Sequence, residues 1–236
     1  MKIKQLINKI IFKNTCSSEA YVKFLRTNGC KIGENTRFIS PKSTTVDLGR
    51  LEYISIGSNC CLSKVSIIAH DYSWYILARS HNEILPDSGG KVEIGNNVFV
   101  GYKSVILKDT KIGDNVIIGA NSLVNKDIPS GTVWAGNPIR YICTLNEYYE
   151  KKKAKHIESA KYRACIIYET KNKKPSIRDM GFFAYLFLPR SIENYNTYIK
   201  DLEFNGIVGD PKIKELFFNS LPEYNSFDEF LQDTFD

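Results

Sequence analysis

KVEIGNNVFVGYKSVILKDTKIGDNVIIGANSLVNKDIPSGTVWAGNPIR, residues 91–140, carries a repeat. Ile94, Val100, Ile106, Ile112, Ile118 and Val124 recur at six-residue intervals, and Gly follows four of them, at Gly95, Gly101, Gly113 and Gly119. Four places after each aliphatic stands a small or β-branched residue: Val98, Ser104, Thr110, Val116, Ser122 and Ile128. A helix repeats every 3.6 residues and a strand every 2, so neither gives a period of six with two inward positions. A short-repeat β-solenoid does, because each hexad supplies a short strand and a turn, and stacking buries one aliphatic column.

Working outward, the register starts at Ile32-Gly33 and Phe38, blurs between Pro41 and Tyr53, and returns at Ile56-Gly57, Leu62 and Ile68. The blurred stretch predicts a bulged or irregular coil. From Asp71 to Lys91 no hexad can be written; the segment reads as a protruding loop, residues 71–91, and long loops in compact repeats are more often functional than spare. After Ile128, Pro129, Gly131, Gly136 and Pro138 break the strand pattern. About five coils fit, at three hexads per turn.

The flanks read as helical. Met1–Asn14 is a basic amphipathic segment with Ile3, Leu6, Ile7 and Ile10 on one face. It could lie on a membrane surface, although packing of that stripe on the domain is the commoner fate. Ser17 or Ser18 can cap a second helix that Gly29 ends. Downstream, Tyr148–Thr170 reads as one long helix, Lys171–Pro175 as a turn, and Met180–Leu188 as strongly apolar and aromatic. Helices follow near Ile192–Phe204, Ile213–Asn219 and Phe227–Leu231. The expected organisation is N-terminal helices over 1–30, the solenoid over 31–143 and a helical appendage over 144–236.

Composition narrows the class. Of 236 residues, 43% are hydrophobic and 12% aromatic, ample for a core. No apolar run approaches the ~20 residues of a membrane span. Asn8 and Lys9 interrupt the N-terminal apolar stretch and no small-residue cleavage site follows, so a cytoplasmic protein is expected. Six cysteines show no metal spacing. Cys60 falls on an inward hexad position and reads as a small core hydrophobe. The net charge of +6 comes without a nucleic-acid motif, and an anionic coenzyme or acceptor accounts for it as well.

The strings IGNNVFVG, IGDNVIIGANSLVNKDI and AGNPIR closely resemble the hexapeptide-repeat acyltransferases. The resemblance implies a left-handed parallel β-helix of triangular section, a homotrimer with its sites between subunits, and acetyl-coenzyme A as co-substrate. Spacing says nothing of handedness, and left-handed coiling runs against the rule for parallel crossovers.

His70 stands at SIIAHDYS, where this family places its catalytic His, at the lip of the loop. A hydroxyl must lose its proton as it attacks a thioester, and an imidazole, of pKa about 6.5, is suited to accept it and later protonate the departing thiolate. The orienting partner is not legible: Asp71 is adjacent, but consecutive side chains on a strand diverge, and Val65 stands near where the family often has Asn. By the same resemblance Tyr102 and Ala120 offer backbone to the pantetheine, while Asn125, Lys126 and Arg140 lie near the phosphates. Tyr102 departs from the small residue usual there, and Phe99 replaces a common Trp. Tyr72, Trp74, Arg79 and His81 in the loop could bind a carbohydrate acceptor.

The reading is an O-acetyltransferase acting on a sugar hydroxyl of a surface polysaccharide or its precursor. An antibiotic O-acetyltransferase and a non-catalytic scaffold are the alternatives. A zinc carbonic anhydrase needs three convergent His, and His70, His81 and His156 fall in three different regions. No metal is expected.

Overall fold

The computed structural model describes residues 13–86, 89–199 and 211–236; apart from Lys13 and Asn14, the expected first helix lies outside them. The chain divides into two compact units, Met1–Tyr149 and Glu150–Asp236.

The first unit opens with helix α1 (Ser18–Thr27), whose N-cap Ser17 hydroxyl accepts the Ala20 N–H at 3.2 Å. This satisfies one of the free amides of the first turn. Strands β1 (Lys31–Ile32), β2 (Arg37–Ile39) and β3 (Thr45–Val46) make one coil, and β4 (Ile54–Ile56), β5 (Cys61–Ser63) and β6 (Ser66–Ile67) the next. After the loop come β7 (Val92–Ile94), β8 (Phe99–Val100) and β9 (Val105–Ile106), then β10 (Thr110–Ile112), β11 (Ile117–Ile118) and β12 (Leu123–Val124). A last partial coil bridges Ile128 to Ile112 and ends in β13 (Thr132–Ala135) and β14 (Arg140–Thr144). The chain visits three sheets in rotation, ordered β1-β4-β7-β10, β2-β5-β8-β11-β13-β14 and β3-β6-β9-β12. All their pairs are parallel except β13 with β14. That is the path of a three-sided solenoid.

All twelve residues of the two hexad columns between Ile94 and Ile128 are buried. The glycine after the aliphatic is explained by the neighbouring coil: a Cβ on Gly57 would meet Gly95 O at 2.4 Å, and one on Gly95 would meet Gly113 C at 2.7 Å. Cys30 and Cys60 lie in the same core, and burial pushes the Cys30 thiol up to about 12 and raises that of Cys60.

Four expectations need correction. Ile68 is only half-buried, while Ile67 is fully buried. Two residues, Ser63 and Lys64, separate the buried Leu62 and Val65, where three separate Val100 and Ser104, so the register slips by one. The loop 71–91 is not wholly irregular, since Trp74–His81 forms a helix, α2, with no buried residue. The strand pattern does not end at Ile128; β13 continues the second sheet and turns back as a hairpin. The single helix expected over Tyr148–Thr170 is two, α3 (Leu145–Lys153) and α4 (His156–Lys171).

The second unit continues through α5 (Ile177–Met180), a 3-10 segment Gly181–Leu186, and α6 (Ile192–Asn194) running into a π-turn Tyr195–Ile199. Helices α7 (Pro211–Asn219) and α8 (Phe227–Phe235) complete it. The rings of Phe187, Phe217 and Phe230 are fully buried at its centre, beside Tyr195 and Met180.

Candidate active site

The irregular first coil positions the site. Two 3-10 segments, Pro41–Ser43 and Leu48–Tyr53, flank β3, and Asp47 lies between β3 and the second of them. Its backbone N–H extends the third sheet by donating to Ile67 O at 3.0 Å. The side chain therefore sits one coil below the residues that follow β6. Asp47 Oδ2 accepts the Ala69 N–H at 3.1 Å and bonds the Nδ1 of His70. The carboxylate side chain is 8% exposed and the imidazole 31% exposed. A buried carboxylate on Nδ1 fixes the ring's orientation and tautomer and leaves Nε2 as the nitrogen open to a ligand. Nε2 makes no hydrogen bond among the described residues.

The neck of the loop closes tightly beside this pair. Gly90 N–H donates to Ala69 O at 3.0 Å. A Cβ on Gly89, whose φ is +86°, would lie 2.4 Å from Ala69 O, and one on Gly90 would lie 2.1 Å from Asp109 Oδ1. The left-handed φ and the backbone oxygen require glycine at Gly89, while at Gly90 the Asp109 carboxylate would have to move. The buried Nε of Arg50 has no partner, and lies 3.2 Å from that Gly89 position. Asp71 accepts the Ser73 N–H at 2.8 Å, starting the loop rather than touching the imidazole.

Of the four loop residues expected to bind an acceptor, Tyr72 is in ring contact with His70, with centroids 4.4 Å apart, and is 70% exposed. The contacts of the other three stay within α2. Trp74 meets Tyr75 edge-on at 6.1 Å, Arg79 donates to the Tyr75 hydroxyl at 3.1 Å, and His81 Nδ1 lies 2.7 Å from Ser80 Oγ.

Four of the five residues matched to the coenzyme by resemblance fall on two edges of the third sheet, and the fifth, Arg140, is on β14 in the second. Tyr102 and Ala120 lie on the corner before it, one coil apart, with Asn121 N–H donating to Tyr102 O at 2.9 Å. Asn125 and Lys126 leave it by the other edge, where His70 leaves two coils earlier; Ile68 N–H to Ile106 O and Leu107 N–H to Val124 O align the three coils. All four are exposed, as is Arg140. The stretch from Lys103 to Lys108 spans at most roughly 17 Å, so one chain holds the two groups apart across that face. A cleft of about 490 Å³ between α1 and the first coil contains none of these residues.

Sequence reading missed Asp47. The signal lay in the register: Thr45 pairs with Ser66 and Val46 with Ile67, which brings Asp47 under Ile68 and within reach of His70. Two extra residues in the corner between Phe38 and Val46 hide that register.

Residues 91–126 match the family model for bacterial transferase hexapeptide (six repeats). CapG of Staphylococcus aureus is 34% identical over 171 residues, covering 72% of this chain and 92% of that protein. YvoF of Bacillus subtilis (strain 168), provisionally named an acetyltransferase, is 36% identical over 134 residues, covering 56% of this chain and 69% of its own. Among solved structures, a maltose O-acetyltransferase from Clostridium difficile 630 is 29% identical, covers 60% of this chain and 84% of that one, and superposes with a TM-score of 0.38.

Proposed function

Because the chain belongs to the bacterial hexapeptide transferases, and so is an acyltransferase, we propose that it moves an acetyl group from acetyl-coenzyme A to a hydroxyl of a surface polysaccharide or its precursor. The observation that carries this reading is the His70–Asp47 pair: a half-exposed imidazole on a buried carboxylate, beside a loop rich in aromatic side chains. A lone structural histidine needs neither a buried anion on one nitrogen nor solvent on the other.

In this reading Nε2 of His70 takes the proton of the acceptor hydroxyl as its oxygen attacks the thioester carbon. The resulting tetrahedral oxyanion is held by a backbone N–H. Collapse breaks the C–S bond, the imidazolium returns its proton to the thiolate, and the products are the acetyl ester and free coenzyme A. Asp47 stabilises the imidazolium while it exists. The backbones of Tyr102 and Ala120 line the pantetheine, and Asn125, Lys126 and Arg140 serve the phosphates, where cationic groups suit a polyanion. Tyr102 and Ala120 sit on one edge of a face and Asn125 and Lys126 on the other, so a homotrimer of left-handed coils, with an edge of one subunit beside the other edge of its neighbour, would assemble one groove from both. The donor and the sugar precursor place the enzyme in the cytoplasm; no helix among the described residues is long and apolar enough to cross a membrane. Trp74, Arg79 and His81 reach the acceptor only if α2 turns toward it.

The test is thiol release from acetyl-coenzyme A against a panel of glycans, nucleotide sugars and antibiotics. Release is expected with a glycan or nucleotide sugar, and His70→Ala should lower it by about 10²–10⁴, the range for loss of a general base, with coenzyme binding retained. An equally active His70→Ala protein would overturn the assignment, and activity confined to amines or antibiotics would replace the acceptor.

A further inference from the structure

The corners of the stack are not alike. Where the chain turns from the first sheet to the second, the left-handed residue of each complete coil is an asparagine: Asn35, Asn59, Asn97 and Asn115, with φ between +55° and +58°. Where it turns from the second sheet to the third, the corresponding residues are Ser40, Lys64, Lys103 and Asn121. Asparagine tolerates this conformation through local hydrogen bonding, whereas lysine has no such compensation. Lys64 and Lys103 hold φ of +49° and +57° all the same. Backbone strain of this kind clusters at functional sites.

The two lysines are neighbours on successive coils, since Lys103 N–H donates to Ser63 O at 3.2 Å. Their ammonium nitrogens lie 4.9 and 5.4 Å from the centroid of one ring, that of Tyr102, which is 41% exposed. Neither ammonium pairs with a carboxylate among the described residues. Both charges lie against one exposed phenol, and a carboxylate bound there would accept charge-assisted hydrogen bonds from them. The departure of Tyr102 from the small residue usual at its position has a purpose in this arrangement, as the platform that gathers both cations.

Position selects the anion. Lys64 and His70 belong to the same coil, at the two ends of β6. Asn125, Lys126 and Arg140, assigned to the coenzyme phosphates above, come two coils or more later. The outward side chains between the lysine edge and the His70 edge are Ser66, Ile68, Val105 and Leu107, none of them acidic. The geometry points to Lys64, Tyr102 and Lys103 as the binding site for a carboxylate of an acidic glycan acceptor, held at the level of His70. This deepens, and rests on, the sugar O-acetyltransferase reading.

The test is equilibrium binding, which needs no turnover. The probes are oligogalacturonate, its neutral counterpart malto-oligosaccharide, and coenzyme A. The variant is Lys64→Asn with Lys103→Asn, which removes both charges and installs the residue found at Asn121 of the same corner and at all four corners between the first and second sheets; its melting temperature should be unchanged or higher. A second variant, Lys31→Asn with Lys111→Asn, removes the same charge from exposed positions on the first sheet. Oligogalacturonate should bind the wild type, and bind the Lys64/Lys103 variant about tenfold or more weakly, the usual effect of losing hydrogen bonds to a charged group. The first-sheet variant should match the wild type, and coenzyme A and malto-oligosaccharide affinities should not change. Absent or unaltered oligogalacturonate binding, or an equal loss in the first-sheet variant, overturns the proposal. A loss confined to coenzyme A transfers the lysines to the phosphates and also overturns it. Failure of the acetyltransferase reading itself would appear separately, as no thiol release with any glycan.

Discussion

The two units of this chain bury their cores by different rules. In the stack, aliphatic residues line up in columns, each touching its counterpart one coil away, and the corners are tied by side-chain ladders such as Asn35 to Asn59 at 3.2 Å and Asn97 to Asn115 at 3.0 Å. In the helical unit a few rings meet at one place. Phe217 contacts Tyr185, Tyr195 and Phe218 and lies under the Arg190 guanidinium, 4.8 Å from the charge to the ring centroid. That guanidinium donates to Tyr185 O and Leu188 O at 2.9 and 2.7 Å. A stack spreads its stability over nearest-neighbour contacts, whereas a single aromatic node concentrates it.

The sharpest way to break this contrast is Phe217→Ala. Truncating a buried Phe costs about 3–5 kcal/mol, and here the rings around it lose their common contact. The units can be read separately, because both tryptophans, Trp74 and Trp134, lie in the first unit, while helices dominate the second. Ellipticity at the helical minimum should melt well below the wild type, and the tryptophan transition should stay in place. A tryptophan transition that falls equally would show one cooperative core.

Second in size is Asp47→Asn, which asks whether the stack's irregular coil is there for chemistry or for stability. Asparagine keeps an oxygen for the Ala69 N–H but cannot stabilise an imidazolium on His70. The turnover number should fall by about a hundredfold, the lower end of what general-base catalysis contributes, with little change in the tryptophan transition. A large stability loss with unchanged turnover would make Asp47 a structural residue.

How much of this was legible follows from the same contrast. A period of six assigns every residue between Ile94 and Ile128 a direction, so the buried columns could be named before any coordinate. It also put His70 at the end of a coil, where the period stops, although the role expected of that residue came from the family resemblance. It could not locate Asp47, because two residues added between Phe38 and Val46 erase the register on which its placement depends. Nor could it assign Ile67 over Ile68, where a corner is one residue short. In the helical unit no period exists, and which rings meet depends on tertiary contacts among α4, α7, α8 and the 3-10 segment. The break between α3 and α4, at Ala154 and Lys155, left no Gly or Pro to mark it. The residues matched to the coenzyme were named by resemblance alone, so the division of four of them between two edges of a face became visible only in three dimensions.

A third, smaller effect separates the corners of the stack from its columns. Asn97→Ala removes the ladder bond to Asn115 and places alanine at φ +55°, for a cost of about 1–2 kcal/mol. The tryptophan transition should fall by that amount and the helical ellipticity transition should not move. A shift of several kcal/mol would mean that corners, not columns, carry the stack.

The smallest effect lies in the helical unit and depends on pH. Asp179 sits in a capping box with Ser176 and pairs with Lys171. The Lys171 ammonium, followed by the Ser176 hydroxyl and N–H, holds its carboxyl well below the usual carboxylate range. A pKa lower in the folded state than in the unfolded chain means that the unfolded chain binds the proton first. The contribution is therefore complete above the unfolded value, near 3.9, and is lost as pH falls from there toward the folded value. The helical transition should lose melting temperature below about pH 4 faster in the wild type than in Asp179→Asn, where the neutral amide has no proton to take up. Parallel acid profiles would mean that Lys171 and Asp179, exposed enough for water to screen them, add nothing to the cap, and that the aromatic node alone holds the unit.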